Sequence, residues 1–156
     1  MGRIAALEPA EITKYIKATF PGVEVIAAPN GDSFFFYDPE RNIPHDKRHP
    51  FATLVHDDTH DTASNLDREG VYRLNIGVKR DTYRARFGDP PPFPKDNRPV
   101  ATGHDFTKLN EVMPHPIYAA MHFVCVLSPS DATFERTVKP LIAEAYEVAK
   151  GNRAKG

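Results

Sequence analysis

Arg73 and Asn75 are the side chains whose types and spacing best suit holding another molecule. They fall in Val71–Val78, where Tyr72, Leu74, Ile76 and Val78 alternate with Arg73, Asn75 and Gly77. That period of two is the pattern of a strand, so the arginine and the asparagine project together from the face opposite the apolar one. A guanidinium beside a carboxamide presents paired donors to a carboxylate or phosphate, and a small anionic ligand is the partner such a pair implies. The competing reading, somewhat favoured, is a polar face that pairs with neighbouring acids across the sheet.

Histidines supply a second set. His104, followed by Asp105, and His115, between Pro114 and Pro116, carry imidazoles that act as acid, base or metal ligand near neutral pH. Asp105 has a simpler role as the cap of a following helix, and His115 one as part of a proline-shaped turn. A candidate pocket joins Arg73 and Asn75 to His104 and His115, with Phe35 or Tyr37 as an apolar wall. A third set, His56, Asp58 and His60 in the run His56–Asp61, has the ligand types for a divalent ion. It lacks the glutamate of a His-Glu-x-x-His site and the central glycine of a calcium loop, so an exposed polar loop is the favoured account.

Charge is unevenly spread around a formal net of -1. From His56 to Glu69 there are five acids (Asp57, Asp58, Asp61, Asp67, Glu69) against Arg68. From Lys79 to Arg98 there are six bases (Lys79, Arg80, Arg84, Arg86, Lys95, Arg98) against three acids (Asp81, Asp89, Asp96). With Tyr83, Phe87 and Phe93 among them, Lys79, Arg80, Arg84 and Arg86 are the candidate contacts for nucleic acid, although the overall charge argues mildly against it. Glycine-rich phosphate loops and a Gly-x-Ser-x-Gly elbow are absent from the sequence, and no cofactor is expected. The single Cys125 sits between valines, where a small buried apolar role is expected. It allows no internal disulfide and lends no support to a thiolate zinc cage. Met1–Leu7 lacks the apolar run of a signal peptide and no membrane span is evident, so a cytoplasmic chain is expected.

Positioning these groups requires a scaffold. Pro9 suits the first position of a helix whose stripe is Ile12, Tyr15, Ile16 and Phe20, stopped by Phe20-Pro21-Gly22. Strands are expected at Val23–Ala27, at Asp32–Asp38, which holds Phe34-Phe35-Phe36-Tyr37, at Phe51–Val55, at Val71–Val78 and at Phe123–Leu127. A polar loop with Ile43-Pro44-His45 separates the second and third. Asp81 is read as the cap of a short helix over Thr82–Phe87, and Asp89–Pro99 as an ordered loop or lid. Phe106, Leu109 and Met113 have helical spacing, broken by Met113-Pro114-His115-Pro116. Ser130 or Asp131 caps a closing helix with the stripe Phe134, Val138, Leu141, Ala145 and Val148, in which Pro140 implies a kink. At 156 residues, 40% hydrophobic and 26% charged, the chain fits one globular domain over 1–156, and its 15 prolines point to rigid connections. The expected class is α+β: a mainly antiparallel sheet of four to five strands covered by the N- and C-terminal helices.

Several segments together carry a resemblance. They are Thr19-Phe20-Pro21-Gly22-Val23, Phe34-Phe35-Phe36-Tyr37, Arg73-Leu74-Asn75-Ile76-Gly77-Val78, Gly103-His104-Asp105-Phe106 with Met113-Pro114-His115-Pro116, and Val124-Cys125-Val126-Leu127. Over nearly its whole length the chain resembles an uncharacterised bacterial domain-of-unknown-function family. More remotely, its element order and Phe-Pro-Gly opening look like the MmcQ/YjbR-like proteins, which implies an α+β "double wing" fold and a DNA-binding role. The function expected from the residues is a non-catalytic domain that binds a small ligand or a partner. The alternatives are a nucleic-acid-binding domain through Lys79–Arg98, and a small metal- or histidine-assisted enzyme.

Overall fold

Pro9 opens the first helix, α1 (Pro9–Thr19), which buries Ile12 and Ile16 and ends where Phe20 turns extended. Gly22, at φ +82°, carries the chain into the sheet, and a Cβ there would come within 2.9 Å of the Tyr37 ring. The computed structural model describes residues 6–44, 48–96 and 98–155. His45 of the polar loop, Asn97 of the proline-rich stretch and residues 1–5 lie outside them.

The strands are β1 (Val23–Ala27), β2 (Ser33–Tyr37), β3 (Ala52–Val55), β4 (Arg73–Gly77), β5 (Met113–Pro114) and β6 (Phe123–Leu127). They form a six-stranded sheet in the order β1-β2-β3-β4-β6-β5, and every pair of neighbours is antiparallel. The count exceeds the four to five expected because a two-residue strand forms at Met113–Pro114. It is an edge strand, where a proline costs no ladder hydrogen bond.

Register divides the side chains between two faces. Val25, Phe35, Ala52, Ile76 and Val124 form one row across the sheet, and Ile26, Phe34, Thr53, Asn75, Cys125 and Met113 the next. The first row belongs to the face on which the helices lie, where Tyr37 meets Tyr146 edge to face at 5.5 Å. The second row belongs to the opposite face.

The closing helix begins at α3 (Asp131–Thr133), passes through a π-helical turn at Phe134–Val138 and continues as α4 (Lys139–Lys155). Ser130 caps it, its hydroxyl accepting from Thr133 N–H at 3.1 Å. The π turn sits just before Pro140, whose missing N–H interrupts the regular ladder there. Between β4 and β5 lies α2 (Arg80–Phe87), begun from Lys79 and not from Asp81, which falls in its first turn.

Residues 106–113 are not helical. Asp105 caps a turn instead, its Oδ1 accepting from the N–H and the hydroxyl of Thr107. Leu109 bridges to Leu127, Asn110 adopts φ +62°, and Met113, preceding a proline, is held extended. Among the described residues no helix is long and apolar enough to cross a membrane.

Candidate functional site

Opposite the helices, the sheet carries a second layer made of the 56–70 loop and the 105–122 segment. Between this layer and the sheet lies a cleft of about 360 Å³. Its floor is polar. β4 contributes Arg73 and Asn75, β3 contributes Thr53, the 56–70 loop Asp61, and the turn after β5 His115. Phe34, Tyr118, Met121 and Phe123 are prominent in the walls.

Arg73 is only 2% exposed and must be matched, because an uncompensated buried charge is costly. Its Nη2 donates to Asp61 Oδ2 at 2.8 Å and its Nη1 to Asp61 Oδ1 at 3.1 Å, a bidentate pair. Nη1 also donates to Ser64 Oγ at 2.9 Å, and Nε to Asn75 Oδ1 at 3.0 Å. Asn75 in turn donates to Thr53 Oγ1 at 2.9 Å. Burial pushes the Asp61 carboxyl up, but the hydrogen bonds and charge of Arg73 outweigh it and leave the group below its ordinary value. The acid that pairs with the strand arginine thus comes from a loop, not from the neighbouring strand.

That loop is shaped by its own carboxylates. Asp57 accepts from Thr59 N–H, Asp61 from Ala63 N–H and Asp58 from Leu66 N–H, at 2.9–3.1 Å. These closures turn Asp61 and Ser64 inward. Arg68 secures the layer by donating to the carbonyls of Ser64 and Thr107.

His115 enters from the proline turn. Its own N–H donates to Phe123 O, which holds it against β6, and Val100 N–H donates to Pro116 O behind it. His115 is 3% exposed. Its Nδ1 accepts from Ile117 N–H and Tyr118 N–H, each at 3.0 Å, in the manner of a side chain capping a turn. Burial, then the charge of Arg73, drives its pKa well below the usual imidazole value, with Asp61 opposing. Next to this group Cys125 is fully buried, and burial pushes its thiol up to about 12. It is not a nucleophile at neutral pH.

Residues 7–156 match a family of unknown function, DUF6194. The chain belongs to DUF6194. No curated protein and no solved structure matches it.

Of the pocket expected from the sequence, this DUF6194 chain brings together Arg73, Asn75 and His115. His104 is elsewhere, bonded to Thr102 and set among Phe87 and Phe106. Tyr37 and Phe35 face the helices, because period two puts Phe34 and Phe36 on the cleft side. His56, Asp58 and His60 do not converge: Asp58 accepts from the loop backbone, the His56 ring packs near Tyr72, and His60 pairs with Asp32. Among the described residues no group of three or more histidine, cysteine or acidic side chains can hold a metal ion. Lys79, Arg80, Arg84 and Arg86 are exposed on and beside α2, with Arg84 paired to Asp89 at 2.9 Å.

Asp61, Thr53, Phe34, Tyr118 and Phe123 were not anticipated in the site. Alternation along β3 could have assigned the polar Thr53 to the face of Asn75, but in the all-aromatic β2 nothing assigns Phe34 to either face. Nothing local signals Asp61, which reaches Arg73 through a loop.

Proposed function

We propose that this DUF6194 chain is a non-catalytic domain that binds a small molecule in the cleft between its sheet and the second layer. The observation that supports this reading is the cleft itself: aromatic and apolar walls around a few fixed polar groups, the usual make-up of a ligand site. The polar groups come from two strands, a loop and a turn, and Arg73, Asn75, Asp61 and His115 each hold two or more hydrogen bonds, so the cleft is formed before a ligand arrives.

The experiment is a thermal-shift screen of small metabolites, followed by amide-resonance mapping of each hit. A ligand at about 100 times its Kd stabilises by about 2.7 kcal/mol, enough to read as a raised melting temperature. Hits are expected to move the resonances of Thr53, Asn75, Tyr118 and Phe123. Hits that move a different surface count against the cleft.

A second reading, nucleic-acid binding, draws support from the exposure of Lys79, Arg80, Arg84 and Arg86 along α2 and from the remote sequence resemblance to the MmcQ/YjbR-like proteins. It would show as affinity that falls steeply with salt.

A further inference from the structure

We infer that the ligand of this cleft is a flat, uncharged molecule that presents a carbonyl oxygen or similar acceptor to Nε2–H of His115, and that the cleft discriminates against anions. This rests on the cleft being a small-molecule site, as proposed above, and specifies what it takes.

The case begins with the tautomer. A ring nitrogen that accepts from two backbone N–H groups cannot itself carry a proton, so the proton of the neutral ring is on Nε2. Among the described residues Nε2 has no partner, and the only buried side-chain nitrogen or oxygen without one is Glu24 Oε1. Nε2 is therefore reachable, and the space it reaches is the cleft that His115 lines. The result is a fixed donor, oriented from behind.

Charge decides the rest. A guanidinium has five N–H groups, and four of those on Arg73 are engaged by Asn75, Ser64 and Asp61. The Asp61 carboxylate cancels the arginine's charge at 2.8 Å. An anion entering at Arg73 would meet one remaining N–H with a carboxylate beside it, and would lose its hydration without a net positive charge from that pair in return. Of the other basic side chains lining the cleft, His49 and His60, the second is paired with Asp32 at 3.3 Å. Neutral acceptors meet a better match. The Thr53 hydroxyl accepts from Asn75 and keeps its own proton to give, whereas Asp61 Oδ1 already accepts from both Arg73 and Ala63. With Phe34, Tyr118 and Phe123 in the walls, a flat ring finds aromatic surfaces to pack against.

Matched probes of nearly equal shape isolate the charge: benzamide against benzoate, and nicotinamide against nicotinate. Each is titrated into the full chain at neutral pH while amide and imidazole nitrogen resonances are followed. The amides should bind in the cleft more tightly than the carboxylates and should shift the protonated Nε2 signal of His115. His115→Asn keeps an acceptor where Nδ1 stands and removes the distal donor. It should fold as wild type does and weaken amide binding about tenfold, the worth of one hydrogen bond. Carboxylates binding in the cleft as tightly as amides would overturn the ligand class and leave the cleft reading standing. Amide binding that leaves the His115 signal unmoved, or no binding of any probe at millimolar concentration, would also overturn it. Probe shifts confined to another surface would overturn both readings.

Discussion

Arg73 holds a full charge on a strand side chain with almost no access to water, and that fact sets its role. A guanidinium kept for incoming anions would need open donors. This one is closed by Asp61, so its first effect is to fasten the 56–70 loop to β4. Arg73→Ala should therefore behave as a broken buried ion pair, leaving the carboxylate stranded. The expected loss is about 3–5 kcal/mol in urea unfolding. Arg73→Met combined with Asp61→Leu should recover much of that, since replacing both partners by apolar groups is often neutral. A single-variant loss below about 1 kcal/mol would mean that water or another cation takes the place of Arg73.

At the scale of elements, β4 shows what was legible and what was not. Its alternation is plain because one face needs Leu74 and Ile76 buried, whereas β2 and β6 are legible as short runs of aromatic or apolar residues rather than by alternation. The segment 106–113 has a helical spacing in Phe106, Leu109 and Met113 and yet is not a helix. Local hydrogen bonding by Asp105 and the proline after Met113 decide against the helix. His104 was assigned to the pocket by residue type alone, and no pattern in a loop reveals which face it will meet. Gly77 is a quieter case. It stands opposite Phe123, and a Cβ on it would lie 2.9 Å from two atoms of that ring. The glycine therefore lets the ring lie flat against β4 and sets one wall of the cleft. Gly77→Ala should displace Phe123, lowering stability by about 1–3 kcal/mol, the usual range for overpacking, and weakening any cleft ligand. If ligand affinity is unchanged while stability falls, the ring position does not matter for binding.

For the whole molecule, the arrangement is a sheet with helices on one face and, on the other, a layer fastened by buried polar links rather than by helices. Those links make stability depend on pH in a definite direction. His115 is held neutral in the fold, with its pKa well below the 6.5 of an unperturbed histidine. Below about pH 6.5 the unfolded chain binds a proton there that the folded chain does not, so the stability contributed by His115 is complete above that pH and is lost as pH falls. Asp61, also lowered, contributes above its ordinary value of 3.8 and fails only in stronger acid. The loss should thus come in two stages, with the histidine first. His122, lowered chiefly by burial, acts in the same direction as His115, so the comparison must be between variants. Urea unfolding of wild type and His115→Asn, followed by tyrosine fluorescence because the chain has no tryptophan, isolates the first stage. Wild type should lose stability more steeply than His115→Asn between about pH 6.5 and 5. Parallel profiles over that interval would show that His115 accepts a proton without disturbing the layer, and would remove the basis for a fixed Nε2 donor.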